Sequence, residues 1–577
     1  MKDHLRELLR AALATLAAEG RLDPGLLRDP PIERTRSREH GDFASSIALQ
    51  LARPLHLSPR EVAGRILDAL PPSPRLAGAE VAGPGFINFT ISTAWLAAAV
   101  EAMGGDARLG VAQVQPPQII VVDYSSPNVA KEMAVHHLRS TVIGDSVVRV
   151  LEFLGHRVIR ANHIGDWGTQ FGMLIAYLER CQQGGGTLEL NDCEAFYRAA
   201  KELYDRDGEF AALARAYVVR LQSHDEHCLE LWRRLVTLTM ERNQELYTAL
   251  GITLTARDIM GESMYSDMLP DIAADLQHKG LAVEDQGALV VHLDEFRGKD
   301  GRPLGVIIRK QDGGYLYATT DLACLRYRVE TLHAGRIVYF TDSRQQQHLQ
   351  SVWAIARRAG YLPEGVSVEH AAFGMMLGRD GRPFRTRTGG TVRLRELLDE
   401  ARTRVGELLT QLGTQLPSDE REEVVHRVAV GAIKYADLSK NRLTDYIFDW
   451  DQMLALDGNT APYLQYAYSR IAALFRRAAI QPGSIIIEHE CEIELAGRLL
   501  AFGETAGEVG RRAMPHLLCT YLYELAGEFM RFYEACPVLR EGTDETTMRS
   551  RLALCGLTAR VLRQGLDLLG IEVMEHM

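Results

Sequence analysis

The sequence predicts an α/β core on a parallel sheet, with a small α+β module before it and an all-α bundle after it. Three observations predict this. The β-branched run IIVVD (119–123) leads into the helical pattern EMAVHHLRSTVIGDSVVRVLEFLG and then into a second strand-like run, HRVIRANHIG, which is strand–helix–strand order. A polar stretch rich in Gly and Pro, GGDARLGVAQVQPPQ, precedes it and reads as a linker. After residue 400 the apolar spacing is helical nearly to the end. At about 150 residues per domain, 577 residues give roughly four domains, softened because one α/β domain runs well past 200. The chain is 46% hydrophobic and 24% charged, which excludes a disordered or collagen-like polymer.

In chain order, residues 1–112 alternate helical patterns with the turn-rich DPGLLRDPPIERTRSREHGDFASS. They end in the strand-like VAGPGFINFTI, where Gly83, Pro84 and Gly85 mark a turn. The core is placed at 113–400. A βαβ unit there leaves its ligands at the carboxyl ends of strands, at the polar tips DYSSPN and ANHIGDWG. From about 173 to 250 the pattern is helical, interrupted by QQGGGTLELND, and reads as an insertion. The strand-like GALVVHL, PLGVIIRK and GGYLYATT come only afterwards. The bundle is placed at 401–577, where Leu518, Tyr521, Leu522, Leu525, Phe529 and Phe532 fall on one helix face.

No apolar run reaches the roughly 18 residues of a membrane span, and the opening MKDHLRELLRAALATLAAEG lacks a secretory hydrophobic stretch. A cytoplasmic protein without membrane contact is expected. Eight scattered cysteines, none in a Cys-x-x-Cys pair, suggest neither zinc nor a disulfide framework. A net charge of −11 argues against a generally basic surface, so any case for RNA binding rests on local features.

The informative segment is VVDYSSPNVAKEMAVHHLRSTVIGD, residues 121–145. A strand ends in polar residues and a helix opens through two adjacent histidines. Amide N–H groups at that helix start, with Lys131, His136 and His137, suit the phosphates of a nucleotide. The competing reading is a pair of histidines on a surface helix.

DYSSPNVAKEM, HLRSTVIGD, RANHIGDWGTQFG, GGYLYATTDLA, DSRQQQH, GMMLG and NTAPYLQYAYSR together resemble, in order and spacing, the class I aminoacyl-tRNA synthetases and specifically the arginyl-tRNA synthetases. The resemblance runs the length of the chain. It implies a Rossmann-like catalytic core, an amino-terminal domain that reads the tRNA D-loop and a helical anticodon-binding domain. It further implies ATP with Mg2+, L-arginine and tRNA(Arg) as partners, no protein-held metal, and a monomer. The HIGH tetrapeptide falls on Ala134, Val135, His136 and His137, so its first histidine is alanine and its glycine is histidine. In the family the two histidines stabilise ATP phosphates and the glycine admits the adenine. His136 either crowds the adenine or replaces the missing donor. KMSK falls on Pro383, Phe384, Arg385 and Thr386, without its second lysine, and Lys131 corresponds to the lysine that many arginyl enzymes use instead. Arg385 and Arg387 add charge over the leaving pyrophosphate, or form a solvated loop.

For arginine, the resemblance places Asp123, Ser125 and Asn128 at the α-amino and carboxylate end. Tyr317, Asp321 and Gln345 surround the guanidinium, with Asp321 as its partner, and His163, Asp166 and Gln170 are nearby candidates. Carboxylates are the planar acceptors a guanidinium needs. The lesser, competing reading for Asp321 is a helix N-terminal carboxylate that stabilises the dipole. Gly374, Met375 and Met376 join Ala134 and the histidines around ATP. For tRNA, Phe43 with Arg34, Arg36 and Arg38 marks the first module, and Tyr463, Tyr466, Arg470 and the terminal Met577 mark the bundle. Aromatic residues beside cations stack unpaired bases, and the same tyrosines suit a bundle core. The function expected is arginine–tRNA ligation. Its rivals are a divergent copy that passes activated arginine to another acceptor and a catalytically silent tRNA-binding protein.

Overall fold

The computed structural model describes residues 1–35, 38–183, 193–297, 301, 303–384, 392–411, 413, 417–540 and 542–577. These gather into two compact units. One holds Met1–Gly110 with Phe475–Phe502 and Gly527–Ala559; the other holds Val111–Leu474 with Gly503–Ala526 and Arg560–Met577.

The larger unit is built on a four-stranded parallel sheet. Its strands are β1 (Ile119–Asp123), β2 (Arg157–Ala161), β3 (Arg336–Tyr339) and β4 (Ser367–His370), in the order β4-β3-β1-β2. Val121, Val122 and Ile337 are fully buried, as a strand covered on both faces requires. The chain leaves β1 towards β2 on one side, while β3 pairs with its other side. The order therefore reverses between β1 and β3, at the aligned ends Asp123 and Tyr339, which is where ligands bind in sheets of this kind.

Helix α1 (Val135–Phe153) connects β1 to β2 and is buried on nearly every face. Gly144 permits its approach to the sheet, because a Cβ there would stand 2.4 Å from the Cβ of Tyr124. Gly144→Ala is expected to destabilise the protein by about 1–3 kcal/mol, read as a lower urea midpoint, since the clash is with a side chain's root and not its flexible end. The arginine at 139 forms a buried ion pair, at 3.1 Å, with Asp437 of the helix Ser418–Leu438.

Between β2 and β3 stand the helices Gln170–Gln183, Cys193–Arg206, Gly208–Gln222 and α2 (Glu226–Ala249), which share a core of Phe171, Leu174, Leu178, Phe210, Leu221 and Leu235. Most of QQGGGTLELND lies outside the described residues. GALVVHL and PLGVIIRK do form strands, but they do not extend the parallel sheet. Ala282–Asp285, Ala288–Arg297 and Pro303–Arg309 make a separate antiparallel sheet. GGYLYATT is not a strand. A bridge from Arg309 to Tyr315 ends the extended stretch, and helix α3 (Tyr317–Glu330) begins two residues later. Aromatic and β-branched residues read locally as strand; Ala318, Leu322 and Leu325, buried at helical spacing, decide the matter through packing. Helix α4 (Gln346–Ala359) follows β3 and packs its Val352 and Ile355 into the same core as Leu322 and Leu325.

In the smaller unit the order of strands is Glu33–Arg34, Phe43–Ser45, Phe86–Ile91 and Leu76–Ala82, all antiparallel. The last two are joined through Gly83, Pro84 and Gly85, and a Cβ on Gly85, at φ 137°, would strike Pro59. The helix His516–Ala535 buries all six residues that its spacing singles out, from Leu518 to Phe532.

Candidate active site

The β1–α1 connection carries three non-glycine residues in the left-handed region: Ser125 (φ 70°), Ser126 (φ 49°) and Ala130 (φ 61°). Such conformations cost about 1–3 kcal/mol each and persist only where surrounding bonds fix them. Here the bonds are many. The Ser125 amide donates to Ser140 Oγ (3.0 Å), and its Oγ meets Tyr247 Oη (2.7 Å). The amide of Ser126 donates to Asn162 Oδ1 (3.1 Å), and that of Ala130 to Thr239 Oγ1 (3.1 Å). Asn128, exposed, lies against Gly165, whose missing Cβ would fall 2.5 Å from Asn128 Oδ1. Asp123, at the tip of β1, accepts Arg328 Nη2 (2.6 Å) on one carboxylate oxygen and Ser126 Oγ (3.0 Å) on the other.

Ala134 is the N-cap of α1 and offers no side-chain acceptor. His137 takes over, its Nδ1 accepting the Ala134 amide at 3.0 Å. That bond fixes the tautomer: Nδ1 is the acceptor, so Nε2 carries the proton as a donor. Burial pushes the His137 pKa down to about 3, with the adjacent His136 adding to the effect, so His137 works as a neutral donor at every physiological pH. His136 is exposed, and its ring centroid lies 4.0 Å from that of His137. Its pKa is also lowered, by desolvation first and then by the Arg344 and Lys131 charges. Lys131 is exposed, with its ammonium 4.8 Å above the Tyr197 ring.

Helix α3 sets out a second cluster along one stripe. Tyr317, Asp321, Cys324 and Arg328 follow one another at helical spacing, from the solvent-exposed start of α3 to its buried interior. Asp321 bonds His348 Nε2 of α4 at 2.5 Å, which raises the His348 pKa. Glu262, its amide tied to Ile164 O (3.1 Å), joins them. Burial, together with the charges of Asp321 and Asp166, pushes its pKa up to about 7. Asp166 itself is held by the amide (2.9 Å) and hydroxyl (2.6 Å) of Ser263. His163 stacks on Tyr265 at 5.8 Å; burial opposes its charge, but Cys324 and Asp123 outweigh that and push its pKa up to about 9. Glu262, with the charges of Asp321 and Asp166 acting on it, belongs to a cluster of carboxylates of the kind that favours a cation. Gln345, exposed, lies just before α4.

Gly374 packs against Asp445, which accepts the Met375 amide at 2.6 Å; Met375 is exposed and Met376 buried. Arg385 and Arg387 lie outside the described residues, as does Arg36. In the smaller unit Phe43 is buried beneath the Arg34 guanidinium (5.3 Å), and Arg34 donates to Gly497 O (3.0 Å). Tyr463, Tyr466 and Arg470 share one face of the helix Ala461–Arg477. Arg470 lies over Tyr466 (5.7 Å), and Tyr463 meets Tyr523 edge-on (5.8 Å). Met577 ends the chain, partly buried.

Glu262, Arg328, Arg344 and Tyr523 escaped the sequence reading. Each is an ordinary polar residue in its own segment; Glu262, Arg328 and Tyr523 gain meaning from partners far along the chain, and Arg344 from its ion pair with Asp342. For Arg328 the partner is 205 positions away, and only a cation on the stripe i+7 from Asp321 hinted at it.

A parallel sheet whose strand order reverses between β1 and β3, adjacent histidines at the start of the helix that follows β1, and the carboxylates Glu262, Asp166 and Asp321 in the same unit are the features of an amino-acid-activating core of the class I synthetase type. Residues 100–450 match the family model "tRNA synthetases class I (R), catalytic domain". Residues 464–577 match the DALR anticodon binding domain, and residues 3–91 the arginyl tRNA synthetase N terminal domain. The chain is 55% identical over 554 residues to an arginine–tRNA ligase of Cronobacter sakazakii, covering 95% of this chain and 96% of that one. It is also 55% identical to one of Vibrio vulnificus over 552 residues, covering 95% of each. A crystal structure of arginyl-tRNA synthetase from Plasmodium falciparum superposes with a TM-score of 0.85 at 27% identity, covering 100% of this chain and 99% of that one. The chain belongs to the arginyl-tRNA synthetase family.

Proposed function

We propose that this chain joins L-arginine to tRNA(Arg) in two steps. A carboxylate oxygen of arginine attacks the α-phosphorus of ATP, and pyrophosphate leaves. A hydroxyl of the terminal ribose of tRNA then attacks the acyl carbon, and AMP leaves. The observation that carries this reading is the acidic pocket of Asp321, Glu262 and Tyr317 in the same unit as the His136–His137 pair, a cation site and an anion site within one catalytic core.

Asp321, oriented by His348, receives the guanidinium, with Tyr317, Gln345 and Glu262 around it. Asp123, Ser125, Asn128 and His163 serve the α-amino and carboxylate end. Asp123 acts there with its charge already shared with Arg328. His137 Nε2 donates to phosphate, Lys131 and His136 stand beside it, and Ala134, Gly374, Met375 and Met376 border the nucleotide. Mg2+ enters with ATP, using its phosphates and waters. Arg385 and Arg387 serve the leaving pyrophosphate. Phe43, Tyr463, Tyr466, Arg470 and Met577 serve the tRNA. The working unit is one chain in the cytoplasm. Positioning and fixed charge do the catalysis, since neither step needs a protein nucleophile.

The test is ATP–pyrophosphate exchange with tRNA present, run with each of the common amino acids in turn. Exchange with arginine alone supports the reading; exchange with none, or with another amino acid, contradicts it. The pH dependence is specific. Glu262 titrates near 7 before arginine binds and must be ionised to hold a cation, so arginine affinity falls as the pH drops below 7. Binding of labelled arginine from pH 5.5 to 8.5 is expected to show this fall, and Glu262→Gln to flatten it.

A further inference from the structure

Ala134 stands at the N-cap of α1 with a buried methyl group, so the helix start has no polar side chain at that position. One turn further along α1, Ser140 donates from Oγ to Phe340 O at 2.7 Å and ties the helix to the end of β3. His136 lies one turn nearer the helix start on the same stripe. The charges of Arg344 and Asp342 reach it from the segment after β3, which a bridge from Asp342 to Phe373 holds in place. Arg344 is an exposed cation tethered by a neighbouring carboxylate. Its Nε and Nη2 meet the two carboxylate oxygens of Asp342 at 2.7 and 3.1 Å, while its side chain stays 81% exposed. A tethered guanidinium that faces solvent beside a helix start is a preorganised charge with anion-binding capacity to spare.

We propose that His136 and Arg344 act as a pair on the α-phosphate of ATP, supplying the donor and the fixed charge that the alanine at 134 does not. This rests on the ATP site of the proposed ligase. His136 supplies a neutral N–H, because desolvation first and the Arg344 charge second disfavour its protonated form. Arg344 supplies the charge. The two should therefore depend on each other, whereas His137, locked to the Ala134 amide, keeps its own donor in any case.

The test measures ATP affinity by equilibrium dialysis with Mg-ATP alone, and the single-turnover rate of adenylate formation with arginine and tRNA. His136→Ala should slow adenylate formation by about 10²-fold, the usual loss for one transition-state donor. Arg344→Gln should weaken ATP binding by about tenfold, as expected for a lost charge-assisted contact. The double variant should lose less than the product of the two effects, and Ala134→His should recover most of the loss in the His136→Ala background. Wild-type affinity and rate in both single variants, or no recovery by Ala134→His, would overturn the pairing. The dialysis arm stands apart from the ligase reading. If wild-type protein makes no adenylate yet Arg344→Gln weakens ATP binding, the ligase reading falls and the pairing stands; unchanged affinity sinks the pairing.

Discussion

Asp321→Ala should raise the KM for arginine by about 10²–10³-fold in tRNA-supported pyrophosphate exchange, while the KM for ATP stays near its wild-type value. Removing one partner of a desolvated, charge-assisted guanidinium–carboxylate contact costs about 3–4 kcal/mol, because the ligand's charge is then left without its acceptor. The carboxylate is built for that partner. His348 takes one oxygen at 2.5 Å, which orients the group and leaves the other oxygen for a ligand. Glu262 adds like charge beside it, and repulsion between such carboxylates is relieved by binding a cation. Asp321→Asn should sit between alanine and wild type, because it keeps the shape and an acceptor but loses the charge. His348 reports the change independently: its raised pKa depends first on the hydrogen bond to Asp321, so its titration by NMR should move down in both variants. Since the Asp321 side chain is partly exposed, the variants should unfold close to the wild-type midpoint. An unchanged arginine KM would remove Asp321 from the pocket.

The second large effect concerns stability. Asp437→Ala should destabilise the larger unit by about 3–5 kcal/mol, because it strands the Arg139 guanidinium, 2% exposed, without its counter-charge. The remaining bond from Arg139 Nη1 to Thr444 O does not offset a buried positive charge. The apolar pair Arg139→Met with Asp437→Leu should recover most of that loss, since the desolvation of both charges disappears with them. Equilibrium unfolding in urea compares the four proteins. If Asp437→Ala alone unfolds like wild type, the pair is a bystander. The consequence reaches the site, because α1 carries Arg139 at its fifth helical position and the His136–His137 pair in its first turn.

These two residues also mark what a sequence can and cannot disclose. The β-branched IIVVD and the patterned helix after it are local signals, and the strand–helix–strand order constrains the sheet to be parallel before any contact is known. The histidine pair was legible because a helix start after such a strand is where anions bind. Asp321 was singled out through resemblance, with a helix start near Thr319 expected to turn it to the same side as Tyr317. By contrast, Tyr317 opens a helix where its own neighbours read as strand. The antiparallel sheet of 282–309 stands apart from the parallel one because its pairing is non-local. Arg139 finds Asp437 across 298 positions, and Arg328 finds Asp123 across 205. Such partnerships leave no periodicity in either segment. Glu262 is similar: its shifted acidity arises from burial and from carboxylates on other elements, none of which its own segment announces.

The most direct test of the whole account is charging of tRNA by purified protein with labelled arginine, ATP and magnesium, followed by acid precipitation of the product. The expected result is arginine-selective, tRNA(Arg)-dependent incorporation, which Asp321→Ala abolishes at low arginine and which high arginine restores in part. Arginine-dependent pyrophosphate exchange without label on tRNA would contradict it and direct the activated arginine to another acceptor. Absence of both, with tRNA still bound, would contradict it more deeply and leave an RNA-binding protein in place of an enzyme.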